Sequence, residues 1–202
     1  MRIVIDANIP LGLEFFSTLG EVTAISPRDI EREHLLNADA LVVRSVKKIT
    51  GAMLRDTPIK FVGTCTAGID HLEIDAIENL NIHWCSAPGS NANSVVEYII
   101  SAISTVRTNW LPATVAIVGC GQVGGLLHQR LKQLGVHCLC YDPFLSKQTN
   151  PDLVDFNEIF KADIICLHTP YTTKGEYPTH HLFNDDSLQK IKADALLINA
   201  GR

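Results

Sequence analysis

Gly119-Cys120-Gly121-Gln122-Val123-Gly124 sets three glycines at the spacing G-x-G-x-x-G. That spacing suits a main chain that turns sharply, starts a helix, and leaves its amides open to a pyrophosphate. Alone the motif is weak, because short glycine patterns arise by chance. Its setting gives it weight. The run Val115-Ala116-Ile117-Val118 before it reads as a buried strand. The apolar spacing from Val123 to Leu134 reads as an amphipathic helix closed by Gly135. A further strand leads to Asp142, about 20 residues beyond the turn, where an acid can accept hydrogen bonds from a ribose. In this reading Gly119 permits the turn, Gly121 leaves room for the pyrophosphate, and Gly124 lets the helix lie close on the strand. The Asp142 carboxylate would repel a 2′-phosphate, which favours NAD over NADP. Two plainer readings stay open: glycines kept only for packing, and an acid that caps a turn before Pro143.

Ligands of open α/β sheets bind beyond the carboxyl ends of the strands. Four apolar runs in this sequence end in polar residues at such places. Val43 is followed by Arg44-Ser45, and Val62 by Gly63-Thr64-Cys65-Thr66-Ala67-Gly68. Leu167 is followed by His168-Thr169-Pro170, and Ile198 by Asn199-Ala200-Gly201-Arg202. Ser45 and Thr66 can donate to a carboxylate or phosphate, or simply stabilise turns. Gly63 and Gly68 would let the backbone approach a ligand. Lys47 and Lys48 read as a solvated pair, with phosphate binding as the alternative. Arg202 carries the most chemical content, since a guanidinium makes two parallel hydrogen bonds to a carboxylate. By position alone it also reads as a solvated surface group. His71, His168, His180 and His181 fit no common metal spacing, so no metal is expected.

These residues need a scaffold that brings strand ends together. Short apolar runs alternate with helical patterns along the whole chain, and the runs are continuous rather than alternating. That pattern means strands buried on both faces, as in parallel sheets covered by helices. Helices are expected near Leu11–Leu19, Asp29–Leu36, Leu72–Asn79, Asn93–Thr108 (capped by Asn93 or Ser94), Gln122–Leu134, Asn157–Phe160 and Ser187–Ile191. The fold class is therefore α/β, with two Rossmann- or flavodoxin-like parallel-sheet units. Residues 1–92 form the first domain and 93–202 the second, which is read as incomplete. The polar, Gly- and Pro-containing segment Thr172–His181 reads as an exposed loop.

Composition excludes several classes. Hydrophobic residues make up 46% and charged residues 19%, which argues against disorder. The balance of 17 basic and 22 acidic residues gives a net charge of −5, with no basic block for nucleic acid or an anionic membrane. The apolar run from Val95 to Val106 is broken by Glu97 and two serines, too short for a membrane span. The opening Met1-Arg2-Ile3-Val4-Ile5-Asp6 is charged too early for a signal peptide. Six cysteines without a C-x-x-C pair read mostly as small buried hydrophobes in a reducing setting. A soluble, cytoplasmic protein is expected.

Taken in order, the strand-end segments resemble the D-isomer-specific 2-hydroxyacid dehydrogenase family. The carriers are Val43-Arg44-Ser45, Phe61 to His71, Ala87-Pro88-Gly89-Ser90-Asn91-Ala92, Gly119 to Gly124, His168-Thr169-Pro170 and Leu197 to Arg202. The resemblance implies NAD as cofactor, bound by Gly119, Gly121, Gln122, Val123, Gly124, Asp142 and Thr169. It implies that Ser45 and Thr66 contact a small phosphorylated hydroxy acid and that Arg202 is the catalytic arginine. Phe61 to His71 and the opening from Ile3 to Pro10 point to a member that oxidises 4-phospho-D-erythronate. Another acid, such as 3-phosphoglycerate, is the alternative, as is an NAD-binding module without turnover. The whole enzyme is expected to be a homodimer. The family places a glutamate and then a histidine, the general base, downstream of the arginine. This sequence ends at Arg202, so the 202-residue chain is expected to be an inactive, poorly stable fragment.

Overall fold

The apolar runs form parallel strands, as their continuity requires. The computed structural model describes residues 1–148 and 150–201. Its chain divides into two units, Met1–Ser90 and a second that begins at Asn91.

The first unit holds strands β1 (Arg2–Asp6), β2 (Glu21–Ile25), β3 (Ala40–Val43), β4 (Phe61–Thr64) and β5 (His83–Cys85). All pair in parallel, in the order β2-β1-β3-β4-β5. This is the flavodoxin-like order. Helices α1 (Gly12–Phe16), α2 (Arg32–Leu35), α3 (Gly51–Leu54) and α4 (Ile74–Asn79) link the strands. Successive side chains of a strand point to opposite faces, and both faces are covered. Ile3, Ile5, Ala40 and Val42 pack with Ile9, Phe16 and Val22. Val4, Leu41, Val43 and Val62 pack on the other face with Ile30, Leu35, Leu54 and Ile77.

The second unit begins with α5 (Ala92–Val106) and continues through β6 (Thr114–Val118), α6 (Gln122–Gln133), β7 (His137–Tyr141) and β8 (Ile164–Leu167). Helix α7 (Asp185–Leu188) and β9 (Leu196–Asn199) follow. The parallel order is β7-β6-β8-β9. Val115 and Ile117 of β6 face a core shared with α5 and α6. Ala116 and Val118 face the opposite core, with Ile159 and Phe160 of a 3-10 turn at Phe156–Lys161. The chain leaves β6 by one face and returns from β7 to β8 by the other. This places a topological switch beside the carboxyl end of β6. Strand β9 is an edge whose residues alternate between partial burial and exposure.

Several local expectations are corrected. The helix expected over Asp29–Leu36 is split into a 3-10 turn, Pro27–Asp29, and α2, because the fully buried Ile30 is extended between them. Helix α3 is an addition; it is only one turn long, capped by Thr50 accepting from the Met53 amide at 3.4 Å. Helix α5 starts earlier than Asn93, with Asn91 at its N-cap and no side-chain cap bond. The segment Asn157–Phe160 is 3-10 rather than α-helical. Of the cysteines, Cys138, Cys140 and Cys166 are buried, but Cys65 and Cys85 are exposed where strands β4 and β5 run out.

Candidate functional site

Loops from β6, β7 and β8 converge at the carboxyl edge of the second unit's sheet. Gly119, just beyond β6, has φ of +87° and donates its N–H to Tyr141 O at 2.8 Å. A Cβ there would stand 3.0 Å from Thr169 Cγ2 and 3.1 Å from the His168 carbonyl. Both the backbone angle and the close approach call for glycine. At Gly124 a Cβ would meet Gly119 O at 1.9 Å, so the helix rests directly on the turn. At Gly121 a Cβ would meet nothing within 4 Å. Two glycines therefore serve packing, and the third faces open space. Gly121 is also the N-cap of the 12-residue α6, and no side chain caps that end. The helix start keeps first-turn N–H groups and a positive dipole end for an anion.

Asp142, one residue past β7, ties this turn down. Its Oδ2 accepts from the Cys120 amide at 2.9 Å, and its Oδ1 accepts from the Phe144 amide at 3.0 Å. Each carboxylate oxygen has further acceptor capacity, so a ribose hydroxyl can still bind. Gly119, Gly121, Asp142 and Thr169 line one cavity of about 440 Å³. Gln122 and Val123 open α6 but are not among the residues lining it.

The far wall is the segment expected to be only an exposed loop. Thr172 and Thr179 lock its two ends: the Thr172 amide donates to Thr179 Oγ1 at 2.8 Å and the Thr179 amide to Thr172 Oγ1 at 3.0 Å. Tyr177 at its tip meets Phe144 edge to face, with ring centroids 5.5 Å apart. Lys174, Glu176 and Asp142 all line this cavity. His168 forms part of the wall behind Gly119. Burial pushes its pKa down to about 4, and neither ring nitrogen has a hydrogen-bond partner among the described residues. No periodic signal marks this wall in the sequence.

Ser45 and Thr66 lie in the first unit, at the carboxyl edge of its sheet. Ser45 is exposed in the turn after β3. Thr66 Oγ1 donates to Gly68 O at 3.0 Å and bonds Thr64 Oγ1 at 2.8 Å, which in turn bonds His71 Nε2 at 3.0 Å. Arg44, next to Ser45 in the chain, donates to Asn8 O at 3.0 Å. Gly63 is enclosed: a Cβ would stand 3.1 Å from the Phe61 ring, so its bare backbone serves packing rather than a ligand. Lys47 pairs with Glu31 at 2.7 Å and Lys48 with Glu73 at 3.1 Å. Arg202 lies outside the described residues. Among the described residues no group of three His, Cys, Asp or Glu is placed to hold a metal ion, and no helix is long and apolar enough to cross a membrane.

A convergent strand-end cleft with a glycine turn and a following acid defines a Rossmann-type nucleotide site. Residues 103–202 match the NAD-binding domain of the D-isomer specific 2-hydroxyacid dehydrogenases. It is 48% identical over its whole length to the erythronate-4-phosphate dehydrogenase of Cellvibrio japonicus and 45% identical to that of Teredinibacter turnerae. It covers 53% and 55% of those two proteins, so it spans about half the length of the curated relatives it matches. Among solved structures, NAD⁺-bound 3-phosphoglycerate dehydrogenase of Entamoeba histolytica superposes with a TM-score of 0.80 at 26% identity, over 100% of this chain and 72% of that one. D-lactate dehydrogenase of Aquifex aeolicus, complexed with NAD and lactic acid, gives 0.79 at 20% identity over 99% and 69%, a likeness of fold.

Proposed function

We propose that the second unit binds NAD and that the whole protein oxidises the C2 hydroxyl of 4-phospho-D-erythronate. The product would be 2-oxo-3-hydroxy-4-phosphobutanoate, on the route to pyridoxal 5′-phosphate. The observation that carries the nucleotide half is the contrast among the glycines. Gly119 and Gly124 are held by close packing, while Gly121 stands open beside an uncapped helix start.

In this reading the pyrophosphate lies on the amides from Gly121 through Gln122 and Val123, and Asp142 accepts the ribose hydroxyls. Thr169 borders the same cleft and contacts the dinucleotide. The residues present fit the cofactor, which when bound supplies the hydride acceptor. Ser45 and Thr66 hold the substrate's anionic ends by hydroxyl and amide donation, and Arg202 orients its carboxylate with two parallel bonds. Removal of the hydroxyl proton calls for the downstream glutamate–histidine pair that the family resemblance implies, a contribution of about 10²–10⁴-fold in rate. The substrate assignment rests on the two relatives of that name and on the segment Phe61 to His71. A cytoplasmic setting rests on the cysteine pattern, six residues without a C-x-x-C pair and most of them within apolar runs, and a homodimer on the resemblance alone.

Fluorescence titration of this chain with NADH and NADPH tests the nucleotide half. Saturable NADH binding, weaker for NADPH, is expected; no binding of either overturns it. Turnover of 4-phospho-D-erythronate against 3-phospho-D-glycerate, measured on a polypeptide carrying the downstream pair, tests the substrate. Preference for the three-carbon acid would move the assignment to the other branch of the family. Tight NADH binding with no turnover of either would leave a nucleotide-binding module.

A further inference from the structure

The glycine turn carries a thiol, and a second thiol lies beside it. Cys120 stands between Gly119 and Gly121, with Sγ turned back toward the sheet, 4.0 Å from Ile117 O. Ile117 is the register partner of Cys140 on β7. Cys120 packs on the core cluster that contains Cys140, and the two thiols are near enough to influence each other. Cys140 is fully buried and fixed within the sheet, while Cys120 is only half-buried.

No other thiol is so placed for Cys140. Cys166 pairs with Ile117 from the other side. It is therefore two strand spacings from Cys140, roughly 9.6 Å, beyond disulfide reach. Cys138 lies two residues along the same strand, with its Sγ 3.6 Å from Val136 O.

We propose that Cys120 and Cys140 form an oxidation site, closing to a disulfide inside the phosphate-binding turn. The oxidant is a hydroperoxide. The Cys120 sulfur attacks the peroxide oxygen as its thiol proton is lost, the O–O bond breaks, and the departing hydroxide takes up that proton and leaves as water. Cys120 is then a sulfenic acid. Cys140 sulfur attacks it, the S–O bond breaks, and the Cys140 proton leaves with the hydroxide as a second water. Two thiols lose two electrons in total, and one hydrogen peroxide becomes two waters. Bond formation draws the sulfurs to about 2.05 Å. Cys140 is locked by strand pairing, so the movement falls on Cys120 and on the Gly119 and Gly121 amides that flank it. The effect on nucleotide affinity rests on the proposed function; formation of the bond does not.

The experiment treats the 202-residue chain with hydrogen peroxide, blocks free thiols, and maps peptides by mass. The expected product has lost two hydrogens and links Cys120 to Cys140. In Cys140→Ser that link is absent and dimedone traps Cys120 as its sulfenic acid, whereas Cys166→Ser still forms it. Both thiols free after oxidation, or a link from Cys120 to any other cysteine, would overturn the proposal. NADH affinity is expected to fall by about tenfold on oxidation, the worth of one charge-assisted amide–phosphate bond, and to return with dithiothreitol. Unchanged affinity in the linked protein overturns the effect on the turn. Failure of the reduced protein to bind NADH overturns the nucleotide reading instead, while the peptide map still decides the thiol pair.

Discussion

Asp142 grips the amide of Cys120 at 2.9 Å, joining residues 22 apart in sequence. One carboxylate thus braces the glycine turn against the end of β7 and faces the cavity where the ribose would lie. The two duties separate by substitution. Asp142→Asn keeps an acceptor for the amide and loses the charge. Its NADH affinity is expected to fall by about tenfold, the scale of a hydrogen bond to a charged group, while its preference against NADPH narrows. Asp142→Ala also loses the brace and is expected to unfold at lower temperature. Fluorescence titration and a melting curve read both. NADH affinity equal to wild type in Asp142→Ala would rule out the ribose contact.

The glycines give an internal control. Gly124→Ala places a Cβ 1.9 Å from Gly119 O, an overlap that only backbone movement can relieve. A destabilisation of about 3 kcal/mol, at the upper end of overpacking costs, is expected from urea denaturation. Gly121→Ala meets nothing within 4 Å and should fold, losing no more than the roughly 1 kcal/mol that alanine costs at a helix N-cap. Its methyl group stands in the open space assigned to the pyrophosphate, so NADH affinity is expected to drop at least about tenfold, the loss of one charge-assisted bond. Wild-type affinity in Gly121→Ala would mean that the phosphates lie elsewhere.

What was legible in the sequence follows from burial. Residues 115–118 and 164–166 are enclosed on both faces, so every position is apolar and the strands stand out. The glycine turn was legible because its backbone demands are local. The wall from Thr172 to Leu182 was not, since it depends on side chains seven residues apart closing on each other, with no period to reveal them. The break at Ile30 was hidden for a related reason: helical spacing continued through it, and only packing of its buried side chain extends the chain there. Exposure of Cys65 and Cys85 was missed because an apolar run gives no mark of where its sheet ends. Gly63 was read for a ligand, whereas the neighbour its bare backbone makes room for is the Phe61 ring.

His168 should make the second unit sensitive to mild acid. Its pKa falls from 6.5 to about 4 because burial disfavours the charged ring. The unfolded chain takes up a proton below pH 6.5, and the folded chain resists until about pH 4. Stability is therefore complete above that window and declines as pH falls through it, by at most about 3 kcal/mol. His168→Leu removes this slope. At neutral pH it should cost little, since neither ring nitrogen has a hydrogen bond to lose among the described residues. NMR titration of the imidazole resonances is the direct check, and a midpoint near 6.5 would refute the account.

Asp152 offers an opposite group with the same direction of pH dependence. The chain after β7 folds back so that the Cys140 amide donates to Asp152 O at 2.9 Å, and the Asp152 carboxylate reaches α6. There it meets His128 Nε2 at 2.8 Å and Lys132 Nζ at 3.0 Å. Burial works against its ionisation, but the bonds from Lys132 and His128 outweigh it, and the pKa is held below the ordinary 3.8. A carboxylate depressed in this way stabilises the fold above its ordinary pKa, and that contribution is lost as pH falls through the lower folded value. Lys132 is exposed, so solvent screens part of the attraction. Asp152→Asn is expected to lower stability at neutral pH by about 1 kcal/mol, typical of a partly screened pair. Denaturation curves of the two proteins should converge as pH drops below the carboxylate range. A gap that persists undiminished there would assign the loss to the backbone of this segment and not to the charge on Asp152.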